Sequence, residues 1–318
     1  MEDYSLIKYI ARGSYGKVYK AKRKTDGSLV AIKKMNYSSL SRYEKESLFN
    51  EIKITKTFNS PRIVKLLDVF WDENYVYLVF PYYANKDLQT YINSQKINEK
   101  DIWKILQQLI EGIYILHQYH IIHRDIKIQN ILVDNNGDIL IADFGICKIL
   151  ENKLSTNTQI GTPYYLSPEM VNGAYYNKKT DIWSLGVILY ELIYKKYPFT
   201  ANNIGNLVYK IKTENIHFPY TSISFKLTDL CKKMLNKSQY IRPSSDYLLN
   251  YLNIPFPVID KNIQQNIYKN YEPVKSFIRN ISQFSKIKRR NSISTQTNIS
   301  IPYDTPDKYT HFSNFLPH

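Results

Sequence analysis

The chain contains few cysteines, glycines and prolines, and this excludes several classes of protein. Its two cysteines, Cys147 and Cys231, lie far apart and lack the spacing of a metal site or of a disulfide framework. Ten glycines and 13 prolines in 318 residues are too few for a collagen-like or low-complexity chain. We therefore expect a globular protein with a sizeable core, in which both thiols are reduced and buried.

Long apolar runs are also absent. The acidic N-terminus leads directly into a predicted strand, and the most apolar stretch, residues 185–193, is interrupted by Glu191. The sequence therefore predicts neither a secretory signal nor a membrane span. We expect an intracellular protein, cytoplasmic or associated with the nucleus or the cytoskeleton, that has no membrane partner.

Acidic residues are outnumbered by basic ones. The chain has 43 Lys and Arg residues against 28 Asp and Glu residues, a net charge of +15. Such a balance is compatible with nucleic acid or with acidic proteins as partners. The lysines are dispersed among asparagine, isoleucine and tyrosine instead of being gathered in a binding pattern. We therefore expect no nucleic-acid partner, and we keep acidic protein partners open.

The most informative part of the sequence is residues 123–145. Asp125 follows an apolar run and precedes a short predicted strand, so it should occupy a loop that is held at both ends. Lys127 and Asn130 follow in the same loop, and Asp143 ends a second apolar strand. Moving a phosphoryl group requires divalent metal and a carboxylate aimed at the incoming hydroxyl, and these residue types suit both tasks.

The pattern H-R-D-x-x-x-x-N followed by D-F-G resembles the catalytic segment of protein kinases. The resemblance implies that Asp125 accepts the proton of the substrate hydroxyl and that Lys127 faces the migrating phosphoryl group. It also implies that Asn130 and Asp143 hold Mg²⁺, and that ATP is the phosphate donor.

A glycine-rich turn between two predicted strands extends the resemblance upstream. The pattern G-x-G-x-x-G-x-V is met at Gly13, Gly16 and Val18, whereas Ala11 stands at its first position. Alanine is the smallest departure from glycine. The next strand ends in Val-Ala-Ile-Lys, which makes Lys33 the expected contact to the phosphates that are not transferred.

The resemblance also assigns Lys33 an acidic partner. In the predicted helix over residues 47–58, that partner is Glu51. The ion pair would form only when the helix swings inward, so it is an expected activity switch.

An adenine pocket is implied where the strand over residues 75–80 ends. The resemblance makes Phe80 the gatekeeper, and it assigns the purine hydrogen bonds to the carbonyl of Pro81 and the N–H of Tyr83. The apolar residues expected on the two faces of the purine ring are Val18, Ala31 and Leu132.

Two features indicate which group of protein kinases the sequence resembles. Lys127 in the catalytic loop and the segment 161–169 resemble serine/threonine kinases, so substrates would be Ser or Thr hydroxyls of proteins. The segments 161–169, 197–202 and 206–211 are similar to NIMA-related kinases, which implies a role in cell-cycle, microtubule or cilium regulation.

Regulation is implied by Arg124. In kinases with this arginine, a phosphate on the activation segment, here residues 143–169, can neutralise its charge. Thr158 is the best candidate by position, and Ser155 and Thr156 are alternatives.

An α+β fold with two lobes follows from the resemblance. Residues 4–254 would form the kinase domain, with a β-rich N-lobe over 4–80 that has one regulatory helix, a hinge over 81–84 and a mostly helical C-lobe over 85–254. Apolar periodicity fades from residue 255, so residues 255–318 are predicted to be a flexible basic tail, open to acidic protein partners.

Several C-lobe residues are expected to be structural. Apolar periodicity predicts helices over residues 99–119 and 178–194. By resemblance, Asp181 would anchor the backbone of the catalytic loop, and Glu169 and Arg242 would form a buried ion pair.

Other functions compete with this reading. A pseudokinase scaffold would have the same fold without phosphoryl transfer, and Ala11 is the one feature that favours it; a serine/threonine kinase of another subgroup also remains open. A dinucleotide-binding oxidoreductase is disfavoured because the glycine turn is followed by a strand and not by a helix.

Overall fold

The computed structural model describes residues 2–13, 16–42, 58–85, 87–119, 121–143 and 163–259, together with residues 45, 48, 49, 52, 55 and 56. Several expectations concern residues outside the described ones: Glu51, the candidate phosphorylation sites Ser155, Thr156 and Thr158, and the predicted tail from residue 260 onward. In the part of the chain that is described, no helix has both the length and the apolar content to cross a membrane.

An antiparallel sheet of five strands forms the first lobe. Its strands, in chain order, are β1 (Tyr4–Gly13), β2 (Gly16–Arg23), β3 (Leu29–Asn36), β4 (Asp68–Trp71) and β5 (Tyr75–Pro81). Their order across the sheet is β1-β2-β3-β5-β4, so β1 is an edge strand and β3 is central. Lys33 on β3 is paired with Val18 on one side and with Leu78 on the other, which fixes its position in the sheet.

Aromatic stacking closes one face of this sheet. Phe70 stacks on Tyr77 with ring centroids 4.7 Å apart and on Tyr4 at 5.6 Å. The Tyr4 hydroxyl donates to Asp68 over 3.1 Å, so the first residue of β1 is tied to β4. Aromatic and β-branched residues favour strands because they pack well on a pleated surface.

Helices dominate the rest of the described chain. They are α1 (Leu88–Ser94), α2 (Glu99–Gln118), α3 (Pro168–Val171), α4 (Lys179–Tyr194), α5 (Ile204–Thr213), α6 (Phe225–Met234) and α7 (Ser245–Tyr251). Two short strands, β6 (Ile131–Val133) and β7 (Ile139–Ile141), pair with each other beside α2. In the first lobe, the described residues between 42 and 56 are helical. The expected α+β fold is therefore confirmed.

The helix predicted over residues 99–119 is present as α2. Asn98 accepts hydrogen bonds from the N–H groups of Lys100 and Asp101, and the Asp101 carboxylate accepts from the N–H of Asn98 over 2.9 Å. This reciprocal cap satisfies N–H groups that have no partner inside the helix. The helix ends at Gln118, one residue before the predicted end, and Tyr119 is its C-cap.

The helix predicted over residues 178–194 is present as α4, with Lys178 as its N-cap. All residues from Thr180 to Ile193 are buried. The helix ends at Tyr194, and its C-cap, Lys195, has a left-handed φ of 56°. Cys231 on α6 packs against α4, with Sγ 3.7 Å from the Gly186 carbonyl oxygen, and burial raises the pKa of its thiol. This confirms a buried, reduced thiol at Cys231, whereas Cys147 lies outside the described residues.

Candidate active site

The loop that carries Asp125 is held by one buried carboxylate. Asp181, at the start of α4, accepts from the backbone N–H of His123 over 2.9 Å and from that of Arg124 over 3.0 Å. Arg124 has a φ of 67°, which is unfavourable for a residue with a side chain. The two hydrogen bonds maintain this turn, and the predicted role of Asp181 as the anchor of the loop is confirmed.

His117 makes a further contact to Asp181 that the sequence did not reveal. Its Nε2 lies 3.0 Å from the Asp181 carboxylate, and its Nδ1 lies 3.2 Å from the Ser245 hydroxyl at the start of α7. Burial alone would raise the pKa of Asp181, but the hydrogen bonds from His117 and from the loop backbone outweigh it and lower that pKa. The loop is therefore connected to α2 and α7 through one ionised carboxylate.

His123 is a packing residue. It is buried, and burial lowers its pKa although nearby carboxylates oppose the shift, so the ring is neutral at physiological pH. Its Nδ1 accepts from the N–H of Asp125 over 3.3 Å, and its Nε2 lies 3.1 Å from the Ala142 carbonyl oxygen. The proton is therefore on Nε2, and the ring ties the catalytic loop to the segment after β7.

Asp125 lies at the centre of a compact polar cluster. Its Oδ2 accepts from Lys127 Nζ over 2.8 Å and from Asn130 Nδ2 over 3.0 Å. Asn130 Nδ2 also donates to the backbone oxygen of Asp125 over 2.9 Å. These contacts fix the orientation of the carboxylate, and the amide oxygen of Asn130 remains as a ligand atom for a cation.

Asp143 contacts Lys33 across 110 residues of sequence. The distance from Lys33 Nζ to Asp143 Oδ1 is 2.5 Å. Partial removal from water would raise the pKa of Asp143, but the ammonium group of Lys33 outweighs this effect and lowers that pKa. The side chain of Asp143 is still 47% exposed, against 12% for Lys33, so this carboxylate is ionised and open to the cleft.

Lys33, Asn130 and Asp143 line a cavity of about 200 Å³ between the sheet and the helical lobe, whereas Asp125 and Lys127 are not in its wall. Most of its wall was predicted from the sequence: Val18, Ala31, Lys33, Phe80, Pro81, Asn130, Leu132 and Asp143. Four predicted nucleotide contacts are not in that wall, namely Ala11, Gly13, Gly16 and Tyr83. The apolar faces supplied by Val18, Ala31 and Leu132 suit a planar ring.

Four residues of the wall were missed by the sequence analysis: Thr55, Val64, Gln129 and Ala142. Three of them had a signal, and for two it was direct adjacency, since Ala142 precedes Asp143 and Gln129 precedes Asn130. Thr55 lies four residues after Glu51, the spacing that places two side chains on the same face of a helix. Val64 had no signal, because its position depends on hydrogen bonds between its segment and Ile141.

The ligand atoms around this cavity suit Mg²⁺. This ion prefers hard oxygen ligands and is usually bound by one or two carboxylates together with phosphate oxygens. Asp143 supplies an ionised carboxylate and Asn130 an amide oxygen, and both line the same cavity. The residues that were predicted to hold the metal are compatible with one.

Arg124 stands next to this site. Its guanidinium lies over the ring of Tyr176 at 5.2 Å, and its Nε is buried without a hydrogen-bond partner among the described residues. The candidate phosphorylation sites that would contact it are not described, so their proposed contact to Arg124 stays a prediction.

Gly16 permits a close approach of two strands, and we expect Gly16→Ala to destabilise the protein. A Cβ at this position would lie 2.2 Å from the Lys34 carbonyl oxygen, so the backbone would have to move. The expected loss is about 1–3 kcal/mol in the free energy of unfolding, measured with denaturant. Gly205→Ala is the matched control, because its nearest neighbour lies at 3.4 Å, and an unchanged midpoint for Gly16→Ala would contradict the clash.

Comparison with known proteins agrees with this geometry. The profile of the protein kinase domain family matches residues 4–254. Human serine/threonine-protein kinase Nek5 is 38% identical over 256 residues, 78% of this chain and 36% of that protein. The probable serine/threonine-protein kinase nek2 of Dictyostelium discoideum is 33% identical over 278 residues, 84% of this chain and 66% of that protein. Serine/threonine-protein kinase ULK3 of Xenopus laevis is 36% identical over 243 residues, 74% of this chain and 52% of that protein.

Each of these relatives is longer than the region it shares with this chain. The chain spans about a third of Nek5, half of ULK3 and two thirds of nek2. The similarity therefore concerns the part that contains the cavity and its polar residues.

Proposed function

Because this chain belongs to the protein kinase domain family, we propose that it is an ATP-dependent serine/threonine protein kinase of the NIMA-related type. It would transfer the γ-phosphoryl group of ATP to Ser or Thr hydroxyls of protein substrates. The observation that carries the proposal is that Lys33, Asp143 and Asn130 line one cavity, and that Asn130 donates to the carboxylate of Asp125. The resemblance to NIMA-related kinases is confirmed by relatives that carry the name Nek.

Asp125 is the proposed acceptor of the hydroxyl proton. Two donors, Lys127 and Asn130, hold its carboxylate in one orientation, so little reorganisation is required when the substrate hydroxyl arrives. Lys127 carries its positive charge beside the reacting carboxylate, where it would stabilise the migrating phosphoryl group.

Lys33 and Asp143 are the proposed contacts to the phosphate end of the nucleotide. Mg²⁺ held by Asp143 and Asn130 would neutralise phosphate charge in the transition state. Each member of the Lys33–Asp143 pair compensates the charge of the other. The proposed switch through Glu51 stays a prediction, because that residue is not described.

The apolar part of the cavity is the proposed adenine site. Phe80 and Pro81 line it at the end of β5, and Pro81 retains the carbonyl that a purine amino group requires. Tyr83 would supply an N–H from the hinge, and the turn with Ala11, Gly13 and Gly16 would cover the phosphates. We also propose an intracellular, cytoplasmic location and a role in the cell cycle or in cilia.

Phosphoryl transfer tests the proposal directly. We expect Asp143→Asn to lower incorporation of radiolabelled phosphate into a generic protein substrate by about 10²–10³-fold, because one charge that stabilises the transition state is removed. Asp3→Asn is the matched control, since this exposed carboxylate lies outside the site. Equal incorporation by Asp143→Asn and the parent would favour the scaffold reading.

We propose that a phosphate on Thr158 neutralises the charge of Arg124 and so switches the activity of the enzyme. Ser155 and Thr156 are the alternative phosphorylation sites. We expect Thr158→Ala to lower turnover while ATP binding persists, because the nucleotide cavity does not depend on a phosphate at that position. Activity and ATP affinity would be measured on the same preparation. Full activity of a protein shown by mass spectrometry to carry no phosphate between residues 143 and 169 would contradict the switch.

A further inference from the structure

A second cavity lies in the helical lobe, between the end of α2, the start of α4 and residues 244–246. Its volume is about 230 Å³, close to that of the nucleotide cavity, and the two cavities share no lining residue. The charged residues of its wall that carry a fixed sign at neutral pH are Lys178, Lys179 and Asp246. Lysines therefore outnumber carboxylates in this wall by two to one.

Lys178 is an unusual residue for its position in the chain. It is the N-cap of α4, and its side chain makes no capping hydrogen bond. Ser, Thr, Asp and Asn are favoured at an N-cap, and a cation is unfavourable near the positive end of a helix. Burial lowers the pKa of the Lys178 ammonium group, although Asp246 opposes the shift. A residue that departs from the local rules of helix formation without benefit to the helix indicates another role.

Lys179 places a second cation beside the first. Its Nζ donates to the carbonyl oxygen of Arg242, and burial together with the charge of Arg242 lowers its pKa. Glu169 compensates the charge of Arg242, but neither Lys178 nor Lys179 forms a salt bridge with a described residue. Like charges at short range repel each other, so an anion in the cavity would stabilise this end of α4.

The wall also contains hydrogen-bond donors without an acceptor. Lys178 Nζ makes no hydrogen bond to a described residue. Asn177 Oδ1 accepts from the N–H of Lys179 over 2.8 Å, but its Nδ2 has no acceptor in the described part of the chain. Ser244 Oγ accepts from the N–H of Tyr247 over 3.2 Å, and its own O–H donates to none of the described residues. Three donors that line one cavity are the complement of an anion with several oxygens.

We propose that this cavity binds the phosphate group of a phosphate monoester, either free or attached to a protein side chain. Lys178 would supply the compensating charge, and Asn177 and Ser244 would donate hydrogen bonds to the phosphate oxygens. A phosphate monoester carries nearly two negative charges at neutral pH and three strong acceptor oxygens, so it matches these donors better than a carboxylate does. The cavity is separate from the proposed site of phosphoryl transfer, and binding to it does not depend on the proposed function.

Asp246 is the group in the wall that opposes an anion. Its Oδ1 accepts from Gln118 Nε2 over 3.0 Å, and its side chain is exposed to water. It forms no salt bridge with Lys178 among the described contacts, so that cation stays available to a ligand. The carboxylate would therefore weaken the binding of a phosphate without preventing it, and its removal should strengthen binding.

Fluorescence anisotropy with the full chain tests the charge of the site. The probe is a fluorescein-labelled glycine-serine peptide that carries one phosphoserine, and its unphosphorylated form is the reference. We expect only the phosphorylated peptide to bind, and Lys178→Met to lower its affinity about tenfold or more, because a charged hydrogen bond is lost. Lys96→Met is the matched control, since it removes an exposed lysine elsewhere. Equal binding of both peptides, or an unchanged affinity in Lys178→Met, would overturn the proposal.

Two further variants test the position of the site and should change the affinity in opposite directions. Asn177→Asp keeps the acceptor for the N–H of Lys179 and replaces the amide donor by a carboxylate, so the affinity should fall about tenfold or more. A carboxylate near the N-terminus of a helix is favourable, so this variant remains informative if Lys178→Met does not fold. Asp246→Asn keeps the acceptor for Gln118 and should bind about two- to tenfold more tightly. An unchanged affinity in either variant contradicts the site.

Competition distinguishes the two sources of the phosphate group. Displacement of the peptide by inorganic phosphate at a concentration close to the Kd of the peptide would indicate a free phosphate ester as the ligand. A requirement for about tenfold more inorganic phosphate would indicate a phosphorylated protein segment, whose neighbouring residues add contacts. Both results support the proposal, whereas no displacement at about a hundredfold excess of inorganic phosphate and of O-phosphoserine would show that the phosphate is not recognised.

Discussion

Asp125→Asn is expected to reduce kcat by about 10²–10⁴-fold, the contribution of a positioned general base, while the KM for ATP changes little. Asparagine keeps the size and the hydrogen-bonding shape of the side chain but cannot accept the hydroxyl proton. The contacts that hold the residue come from Lys127 and Asn130, within the loop itself, so the cavity that would bind the nucleotide should persist. Steady-state kinetics with a peptide substrate would separate kcat from KM.

The matched control for Asp125→Asn is Asp229→Asn. Asp229 belongs to a surface pair with Lys233 on α6, at 2.7 Å, and does not line the cavity. Its removal should leave both kinetic constants unchanged, since surface pairs of this kind contribute at most about 1 kcal/mol to stability. A kcat for Asp125→Asn within a factor of about 3 of the parent value would contradict the role of Asp125 as a base.

Arg242→Met is expected to lower the free energy of unfolding by about 3–5 kcal/mol. The Arg242 guanidinium donates to the Glu169 carboxylate over 2.7 Å and 2.5 Å, and Glu169 also accepts from the Thr180 hydroxyl over 2.8 Å. Both charged side chains are almost completely buried. Removal of the cation leaves a buried carboxylate without its counter-charge, and this is more costly than the loss of a surface pair. Unfolding in urea would measure the change.

The exposed pair of Arg23 and Asp26 supplies the control. Arg23→Met removes a cation from a contact of 3.1 Å at the surface, so the expected loss is about 0–1 kcal/mol. Replacement of both Glu169 and Arg242 by Met should recover part of the stability, because no buried charge is then left alone. Equal losses for Arg242→Met and Arg23→Met would contradict the argument from burial.

The pH dependence of stability should report the same ion pair. Burial would raise the pKa of Glu169, but Arg242 outweighs it and lowers that pKa below its usual range. The contribution of the pair is therefore complete above the pKa of a glutamate in the unfolded chain, about 4.3, and is lost as the pH falls through the lower value of the folded protein. Arg242→Met should lack this loss in acid.

The catalytic loop could be predicted because its chemistry is local in sequence. Asp125, Lys127 and Asn130 lie within six residues, so a short loop brings their side chains together whatever surrounds it. The helices α2 and α4 were predictable for a similar reason, since their apolar residues recur with the period of a helix. One end of each helix differs from the predicted end by one residue, because caps and local dihedral angles decide where a helix begins and stops.

Contacts between segments that are distant in sequence could be predicted only from the family resemblance, and not from the periodicity of apolar residues. Asp181 reaches the loop from 57 residues away, and the sequence contains no signal for the contact of His117 to the same carboxylate. Val64 enters the cavity wall only because its segment is hydrogen-bonded to Ile141. The shifts in register between β1 and β2 had no signal either, since register depends on the partner strand.

By itself, the sequence determined which residues carry the chemistry and on which kinds of element they lie, because short-range periodicity and turn chemistry act within a few residues. Tertiary structure alone decided which of them meet. Lys33 and Asp143 lie 110 residues apart and are brought within 2.5 Å by the packing of the sheet against the helical lobe. Packing also decides their ionisation, since burial and neighbouring charges set a pKa and both depend on where the rest of the chain is placed.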